Sequence, residues 1–117
     1  GWSAVGCHPA TMGIGPVGAV QKLFSKSDVS LDDMDLVEIN EAFACQVLAC
    51  LKGLEWNDPA RLNVNGSGIS LGHPIGATGV RIMTSMLHEL KRRDGKYGLE
   101  TMCVGGGQGI AALFEAA

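Results

Sequence analysis

The stretch TMCVGGGQGIAALFE, residues 101–115, decides how this chain folds. Apolar segments stand on both sides of three consecutive glycines, Gly105–Gly107. Because glycine accepts the positive φ angles that tight turns require, the pattern predicts an antiparallel hairpin with the glycines at its turn. Cys103 comes just before this turn, so the hairpin places a thiol beside three residues that have no side chain.

Upstream of this hairpin, strand and helix patterns alternate. We predict three further strands and three helices, which gives the order β-α-β-α-β-α-β-β. The strands fall in residues 2–6, 35–40 and 61–66. The helices begin near Pro16, after a cap at Asn40, and at about Gly76. The last helix is expected to turn Val80, Met83, Leu87 and Leu90 towards the core. This order predicts a three-layer α/β/α domain with a five-stranded, mostly parallel sheet and one antiparallel strand.

The composition excludes several classes of function. Of the 117 residues, 18% are charged; the usual share is about 25%, so part of the surface is expected to be covered by another chain or domain. The net charge of −3 and the lack of a basic stripe argue against a nucleic-acid partner. No apolar run approaches the roughly 20 residues of a membrane span, and no signal peptide is visible. We therefore expect no membrane association.

The four cysteines, Cys7, Cys45, Cys50 and Cys103, form no CxxC pair and have no zinc-ligand spacing. This favours free thiols over a disulfide scaffold and predicts no metal site. For the first three we expect buried cysteines that act as small apolar residues. The chain begins with Gly1 rather than Met, so we expect one domain, residues 1–117, of a longer protein.

Two glycine-rich segments suggest phosphate binding, and neither fits well. GIGPVG, residues 13–18, matches the dinucleotide pattern, with Glu38 20 residues further on. However, the preceding strand ends too early, and the helix begins inside the motif, so a turn leading into a helix is the better interpretation. GGGQG, residues 105–109, lacks the Lys-Ser/Thr of a P-loop. A measurement of NADH binding would distinguish a dinucleotide site from a turn that leads into a helix.

Three polar residues are candidates for chemistry. His73 lies in a glycine-rich loop and precedes a proline, so it does not belong to an apolar core. Cys103 and Asn40 follow strands, and reactive groups of α/β sheets gather at the carboxyl ends of parallel strands. For Asn40, a helix cap and a functional role remain equally open. We expect these residues to converge at one edge of the sheet.

Three motifs together resemble the C-terminal half of the thiolase family, which comprises acetyl-CoA acetyltransferases and 3-ketoacyl-CoA thiolases. They are NEAFA at 40–44, NVNGSGISLGHPIGATG at 63–79 and CVGGGQG at 103–109, in this order. Ser67 and Ser70 depart from the glycine and alanine that are common in the family. The resemblance covers essentially the whole chain. It implies a reversible Claisen reaction of coenzyme A thioesters, without a cofactor.

The resemblance also implies roles for individual residues. His73 would activate the nucleophile and line an oxyanion hole, and Asn40 would fix a water that completes that hole. Cys103 would move the α-proton, for which its thiol pKa must be drawn towards neutral by neighbours. The backbone N–H of Gly105 would contribute to a second hole, for the acyl-enzyme step. The acyl and pantetheine channel would be lined by Met12, Ala42 and Phe43.

The motif of the nucleophilic cysteine of the family does not occur in this sequence. The resemblance therefore implies an N-terminal half as partner, a homo-oligomer of the full-length protein, and a cytoplasmic or organelle-matrix location. The isolated chain is expected to be inactive. The alternative is a non-catalytic, thiolase-like association or binding domain.

Overall fold

A computed structural model describes all 117 residues, Gly1–Ala117. It contains four strands and four α-helices, in the order β1 Trp2–Gly6, α1 Gly15–Phe24, β2 Leu36–Ile39, α2 Ala44–Leu54, α3 Gly68–Leu71, α4 Thr78–Arg93, β3 Tyr97–Val104 and β4 Gln108–Glu115. Two 3₁₀ helices, Pro9–Ile14 and Leu31–Asp33, precede α1 and β2. None of the helices is both long and apolar enough to cross a membrane.

The strands form one sheet in the order β1-β4-β3-β2. β2 pairs in parallel with β3, whereas β4 is antiparallel to both of its neighbours. β1, β2 and β3 therefore run in one direction and β4 in the other, which confirms a mixed sheet with one antiparallel strand. The predicted hairpin is also confirmed, since Val104 pairs with Gln108 and the turn between them carries Gly106 and Gly107 at φ of 87° and 92°.

The prediction of five strands is wrong, because residues 61–66 form only an isolated bridge. Val37 donates its N–H to the Arg61 carbonyl and accepts from the N–H of Asn63, both at 2.9 Å. Asn63 then adopts a left-handed conformation with φ of 45°. This residue turns the backbone away from β2 before a second pair can form.

Helices cover both faces of the sheet, as the three-layer prediction requires. On one face, Ala19, Val20 and Leu23 of α1 and Val47 and Cys50 of α2 pack with sheet residues that include Val37, Ile39, Leu99 and Ala111. On the other face, Met86 and Leu90 of α4 pack against Leu36 of β2. Alternate residues of β2 therefore point to opposite layers.

The expected orientation of α4 is only partly correct. Leu90 is buried as predicted, but Val80 is 63% exposed, and Ile82 and Met86 lie inside instead. The helix carries two apolar stripes, and the sequence alone does not show which of them meets the sheet. The expected helix cap at Asn40 is wrong as well, because α2 begins at Ala44 with Phe43 as its N-cap residue.

The glycines of the GIGPVG segment serve close packing. The 3₁₀ helix Pro9–Ile14 separates β1 from α1, so the tight strand-to-helix turn of a dinucleotide site is not formed. A Cβ atom at Gly15 would lie 2.5 Å from the Gln108 carbonyl oxygen, and one at Gly109 would meet the backbone of Gly15. The start of α1 thus rests directly on the backbone of β4.

Candidate active site

Asn40, Cys103 and Gly105 lie at the same edge of the sheet. β2 and β3 are parallel, with Ile39 opposite Thr101, and the N–H of Asn40 donates to the Thr101 carbonyl at 3.0 Å. Cys103 is the second residue beyond Thr101 on β3, and Gly105 opens the hairpin turn. The convergence predicted for the carboxyl ends of the two strands is therefore present for these three residues.

The side chain of Asn40 is buried and has no protein partner. Asn40 is 1% exposed, and neither its Oδ1 nor its Nδ2 makes a hydrogen bond within the chain. A buried amide without partners costs about 1–3 kcal/mol. Gly68 packs closely here, since a Cβ atom at that position would lie 3.1 Å from Asn40 Oδ1. Both polar atoms are therefore free to hold a water molecule or a ligand at this edge.

Cys103 is a half-buried thiol on β3. Burial raises its pKa above the ordinary value of 9.0, and the nearby Cys7 raises it further. Within this chain the net shift is therefore away from neutral, so the low pKa that a thiol base needs stays a prediction for the full-length protein. A raised pKa favours the neutral thiol, which is the form that can donate a proton.

The backbone N–H of Gly105 points to no acceptor within the chain. Gly105 is exposed, and its amide makes no backbone or side-chain hydrogen bond. Its carbonyl oxygen accepts from Gln108 Nε2 at 3.1 Å, which holds the following peptide, between Gly105 and Gly106, in place. An unpaired backbone N–H is the kind of donor from which oxyanion holes are built.

His73 lies in the exposed loop between α3 and α4, and a hydroxyl defines its tautomer. The ring Nδ1 lies 2.7 Å from Oγ1 of the buried Thr78, whose hydroxyl lies 3.0 Å from the Pro74 carbonyl oxygen. We assign the single hydroxyl proton to the Pro74 carbonyl, which can only accept; with this assignment Nδ1–H donates to Thr78. The other ring nitrogen, Nε2, is therefore left with a lone pair, as a general base requires.

A glutamate ties the loop of His73 to the segment that follows Asn40. Glu41 Oε2 accepts from the N–H of Ile69 in α3 at 3.2 Å. On the same carboxylate, Oε1 accepts from Asn63 Nδ2 at 3.3 Å. α3, which leads into the loop of His73, is thus fixed against the sheet edge that carries Asn40.

The predicted channel residues lie close to this edge. Met12 is half-buried in the 3₁₀ helix Pro9–Ile14, which contacts β3 and α2. Ala42 is half-buried and Phe43 is 68% exposed, and both stand between Asn40 and α2. No contact within the chain covers the Phe43 ring, so it is available to a ligand or a partner.

The remaining cysteines are free thiols with different environments. Cys50 is buried, as expected, and its Sγ lies 3.3 Å from both Gln46 Nε2 and the Gly13 carbonyl. Cys7 is half-buried, but Cys45 is exposed, so the expectation of a buried residue is wrong there. No group of three or more His, Cys, Asp or Glu side chains is arranged to hold a metal ion.

Sequence reasoning missed the residues that position the candidates. Thr78, Asn63 and Ser67 make hydrogen bonds beside His73 and Asn40. The sequence offered one clue to Thr78, namely its position at the start of the helix that follows His73. Asn63 and Ser67 gave no separate signal, because polar residues in a glycine-rich stretch also fit an ordinary loop.

This α/β domain places Asn40, Cys103 and the free N–H of Gly105 at one sheet edge, and Glu41 connects that edge to α3, which leads into the loop of His73. The family described as "Thiolase, C-terminal domain" matches residues 1–116, and the chain belongs to this family. The prediction made from the three motifs is therefore confirmed.

Individual relatives agree with this assignment. The acetyl-CoA acetyltransferase of Chromobacterium violaceum is 51% identical over 115 residues, which is 98% of this chain and 29% of the relative. The crystal structure of the Bacillus anthracis acetyl-CoA acetyltransferase is similar over the whole chain, with a TM-score of 0.96 and 55% identity. Human mitochondrial 3-ketoacyl-CoA thiolase in complex with CoA gives a TM-score of 0.96 at 50% identity. The chain spans 29% of each of these two structures.

Proposed function

We propose that this chain supplies the C-terminal part of a thiolase active site. The full-length protein would transfer acyl groups between acyl-CoA and acetyl-CoA by reversible Claisen condensation, and would cleave 3-ketoacyl-CoA in reverse. Its relatives named acetyl-CoA acetyltransferase and the CoA complex of a 3-ketoacyl-CoA thiolase support this substrate class. Coenzyme A thioesters would be its substrates, and no cofactor is required.

The first step would attach an acyl group to a cysteine outside residues 1–117. His73 Nε2 accepts the proton of that cysteine, and the thiolate attacks the carbonyl carbon of the acyl donor. The N–H of Gly105 donates to the oxyanion that forms. When an acyl-CoA is the donor, collapse of the oxyanion breaks the carbon–sulfur bond to CoA, and the CoA thiolate leaves with the proton from His73. One such donor is typically worth about 10²–10³ in rate.

In the cleavage direction, the donor is a 3-ketoacyl-CoA, and the carbon–carbon bond breaks once the thiolate has attacked the 3-keto carbon. The leaving group is the enolate of acetyl-CoA. His73 and a water held by Asn40 stabilise the enolate oxygen, and the neutral thiol of Cys103 gives its proton to the α-carbon. The thiol of free CoA then returns a proton to Cys103, its thiolate takes the acyl group from the nucleophile as acyl-CoA, and the nucleophile regains its proton from His73. Condensation runs the same steps backwards, with the Cys103 thiolate removing the α-proton. The raised pKa of Cys103 suits the role of proton donor.

The observation that carries this proposal is the buried, unpartnered side chain of Asn40 beside Cys103 and the free amide of Gly105. A structural asparagine at 1% exposure would pair both of its polar atoms. Donors and acceptors that remain unpaired at a sheet edge, next to a thiol, favour a site for a substrate oxygen.

The test is thiolysis of acetoacetyl-CoA by the full-length protein. We expect formation of acetyl-CoA, no turnover by residues 1–117 alone, and recovery of turnover when the N-terminal part is added. A full-length protein that cleaves neither acetoacetyl-CoA nor longer 3-ketoacyl-CoA substrates would contradict the proposal.

The second candidate is a non-catalytic association domain. The exposed Phe43, Leu48 and Ile75 favour a partner surface, since they are 68%, 67% and 84% exposed. Under the catalytic proposal, the same surface receives the N-terminal part or a second copy of the protein. Association that forms normally in a full-length protein without any acyl transfer would favour the second candidate.

A further inference from the structure

The side chain of Asn63 continues the pairing along the edge of β2 beyond the point where the Asn63 backbone turns away. Its Oδ1 accepts from the N–H of Ile39 at 2.8 Å, and its Nδ2 donates to the Ile39 carbonyl at 2.9 Å. The orientation of the amide is unambiguous, because a backbone N–H can only donate and a carbonyl can only accept. The side chain thus takes the place of one residue of a neighbouring strand.

This arrangement fixes the residue just before Asn40 from the open side of the strand. On the opposite side, the N–H of Asn40 is held by the Thr101 carbonyl of β3 at 3.0 Å. Ser67, which is fully buried, adds a hydroxyl 3.3 Å from the Ile39 carbonyl and 3.4 Å from the N–H of Glu41. The backbone that carries the Asn40 side chain is therefore held on both edges.

The same amide also reaches the segment of His73. Asn63 Nδ2 donates to Glu41 Oε1 at 3.3 Å, and Glu41 Oε2 accepts from the N–H of Ile69 in α3. Asn63 thus joins two parts of the proposed oxyanion hole, namely the strand end with Asn40 and the short helix that leads to His73. Ser67 bonds only to the backbone of Ile39 and Glu41, whereas Asn63 also reaches the Glu41 carboxylate.

We propose that Asn63 is a positioning residue that sets Asn40 for the enolate step. The inference rests on the proposed thiolase function and deepens it. Asn63 does not touch the substrate; it acts through the placement of Asn40. Its loss should therefore slow α-proton transfer. Acylation of the nucleophile should stay intact, because the bond from the Ile69 N–H to Glu41 still holds the segment that leads to His73.

The test uses the full-length protein with Asn63→Gly, because glycine keeps the left-handed backbone and removes only the side chain. We expect a CoA burst near one equivalent on mixing with acyl-CoA, as in the wild type. Exchange of the acetyl-CoA methyl protons with deuterated water should fall by about 10–100-fold, part of the typical loss for one oxyanion donor. Asp94→Gly is the matched control, since Asp94 is exposed at φ of 57° and makes no side-chain hydrogen bond; it should keep both rates.

A double variant separates positioning from a general weakening of the fold. Asn40→Ala combined with Asn63→Gly should exchange protons no more slowly than Asn40→Ala alone, because Asn63 acts only through Asn40. Equal losses of burst and exchange in Asn63→Gly, additive losses in the double variant, or unchanged exchange would overturn the proposal.

Asn63→Asp provides a second variant if Asn63→Gly fails to fold. Aspartate tolerates the same backbone and keeps the acceptor for the Ile39 N–H, but it loses the donor to the Ile39 carbonyl and to the Glu41 carboxylate. It should keep the burst and lose exchange; a normal exchange rate would count against the role. Failure of the proposed function is distinguishable, because the wild type itself would then give neither a burst nor exchange.

Discussion

The hydroxyl of Thr78 decides which nitrogen of His73 can act as a base. It accepts from Nδ1–H and is itself anchored by its bond to Pro74. This acceptor favours one tautomer and one ring orientation, in which Nε2 keeps its lone pair.

For this single residue, we predict that Thr78→Val slows acylation of the nucleophile. Valine keeps the shape but removes the acceptor, so the imidazole loses its fixed tautomer. The rate of the CoA burst should fall by about 10–100-fold, within the range that general bases contribute, while its amplitude stays near one equivalent. Stopped-flow measurement of the burst checks this in the full-length protein.

Thr78→Ser is the control, because it keeps the hydroxyl and should retain most of the burst rate. A valine variant with the wild-type rate, or a serine variant that is equally slow, would contradict the role of the hydroxyl.

The sequence showed which residues belong to the candidate site, but not their pKa values or their hydrogen-bond partners. Asn40, His73 and Cys103 were found because they interrupt apolar or glycine-rich patterns at the ends of elements. The raised pKa of Cys103 depends on burial and on Cys7, which is distant in the sequence, so no local pattern could predict it. The unpaired side chain of Asn40 was equally invisible, because a helix cap would have the same sequence.

Among the elements, the contact between α1 and β4 leaves the least space. Gly15 and Gly109 lie backbone to backbone, and Gly109 stands opposite Cys103 in the hairpin. A side chain at Gly109 would push the hairpin away from α1 and displace the thiol.

We therefore predict that Gly109→Ala destabilises the full-length protein by about 3 kcal/mol, since overpacking against rigid backbone typically costs 1–3 kcal/mol and occasionally more. Gly6→Ala is the matched control, because a Cβ atom at Gly6 has no atom within 4 Å. Urea unfolding of both variants measures the difference. Equal midpoints for the two variants would show that the contact relaxes without cost.

The packing of α4 on the sheet encloses a pair of carboxyl groups. Glu38 of β2 and Glu100 of β3 are direct neighbours in the parallel register, and Arg81 of α4 lowers the pKa of both. Burial outweighs this effect and raises each pKa from 4.5 to about 7. The guanidinium nitrogens of Arg81 are buried without a hydrogen-bond partner in the chain.

The raised pKa values make stability depend on pH. The folded state binds protons that the unfolded state releases, so this stabilisation is full below about pH 4.5 and is lost as the pH rises through 7. Glu100→Gln should therefore stabilise the protein by about 1 kcal/mol at pH 8, a value reduced for the partial exposure of the side chain. At pH 5 the difference should largely vanish.

Urea unfolding at the two pH values checks this prediction. The exposed Glu55 at the end of α2 provides the control, and Glu55→Gln should change stability little at either pH. A Glu100→Gln variant that is less stable at pH 8 than the wild type would contradict the raised pKa.

The element order could be predicted from the sequence, but pairings and faces could not. The hairpin followed from the three glycines between apolar runs. Residues 61–66 have a strand-like composition, yet the left-handed Asn63 ends their pairing with β2. The orientation of α4 depends on which of two apolar stripes meets the sheet, and that choice is made by tertiary packing.

Across the whole molecule, large apolar side chains remain at the surface. The most exposed are Trp2, Phe43, Leu48, Ile69, Ile75 and Val80, each more than 60% exposed. We infer that another part of the protein covers some of these side chains. The low share of charged residues predicted such a surface from composition alone.

We expect isolated residues 1–117 to bind a hydrophobic dye and to self-associate, and the full-length protein to do so much less. Dye fluorescence and sedimentation measure the two effects. Ile75→Asp with Val80→Asp should reduce both, since these residues are 84% and 63% exposed. A monodisperse monomer of the isolated chain that binds no dye would contradict the covered surface.

The central claim is the division of labour between His73 and Cys103, and the first turnover of full-length variants tests it most directly. Each variant is mixed with acyl-CoA, and the first release of CoA is followed. Cys103→Ser should release about one equivalent and then stall, with turnover lower by about 10²–10⁴-fold, because acylation proceeds and proton transfer does not. His73→Ala should give little or no burst, because the nucleophile is not activated. A burst that is lost in Cys103→Ser and kept in His73→Ala would reverse the roles, and full turnover in both would leave the hairpin of residues 101–115 a purely structural element.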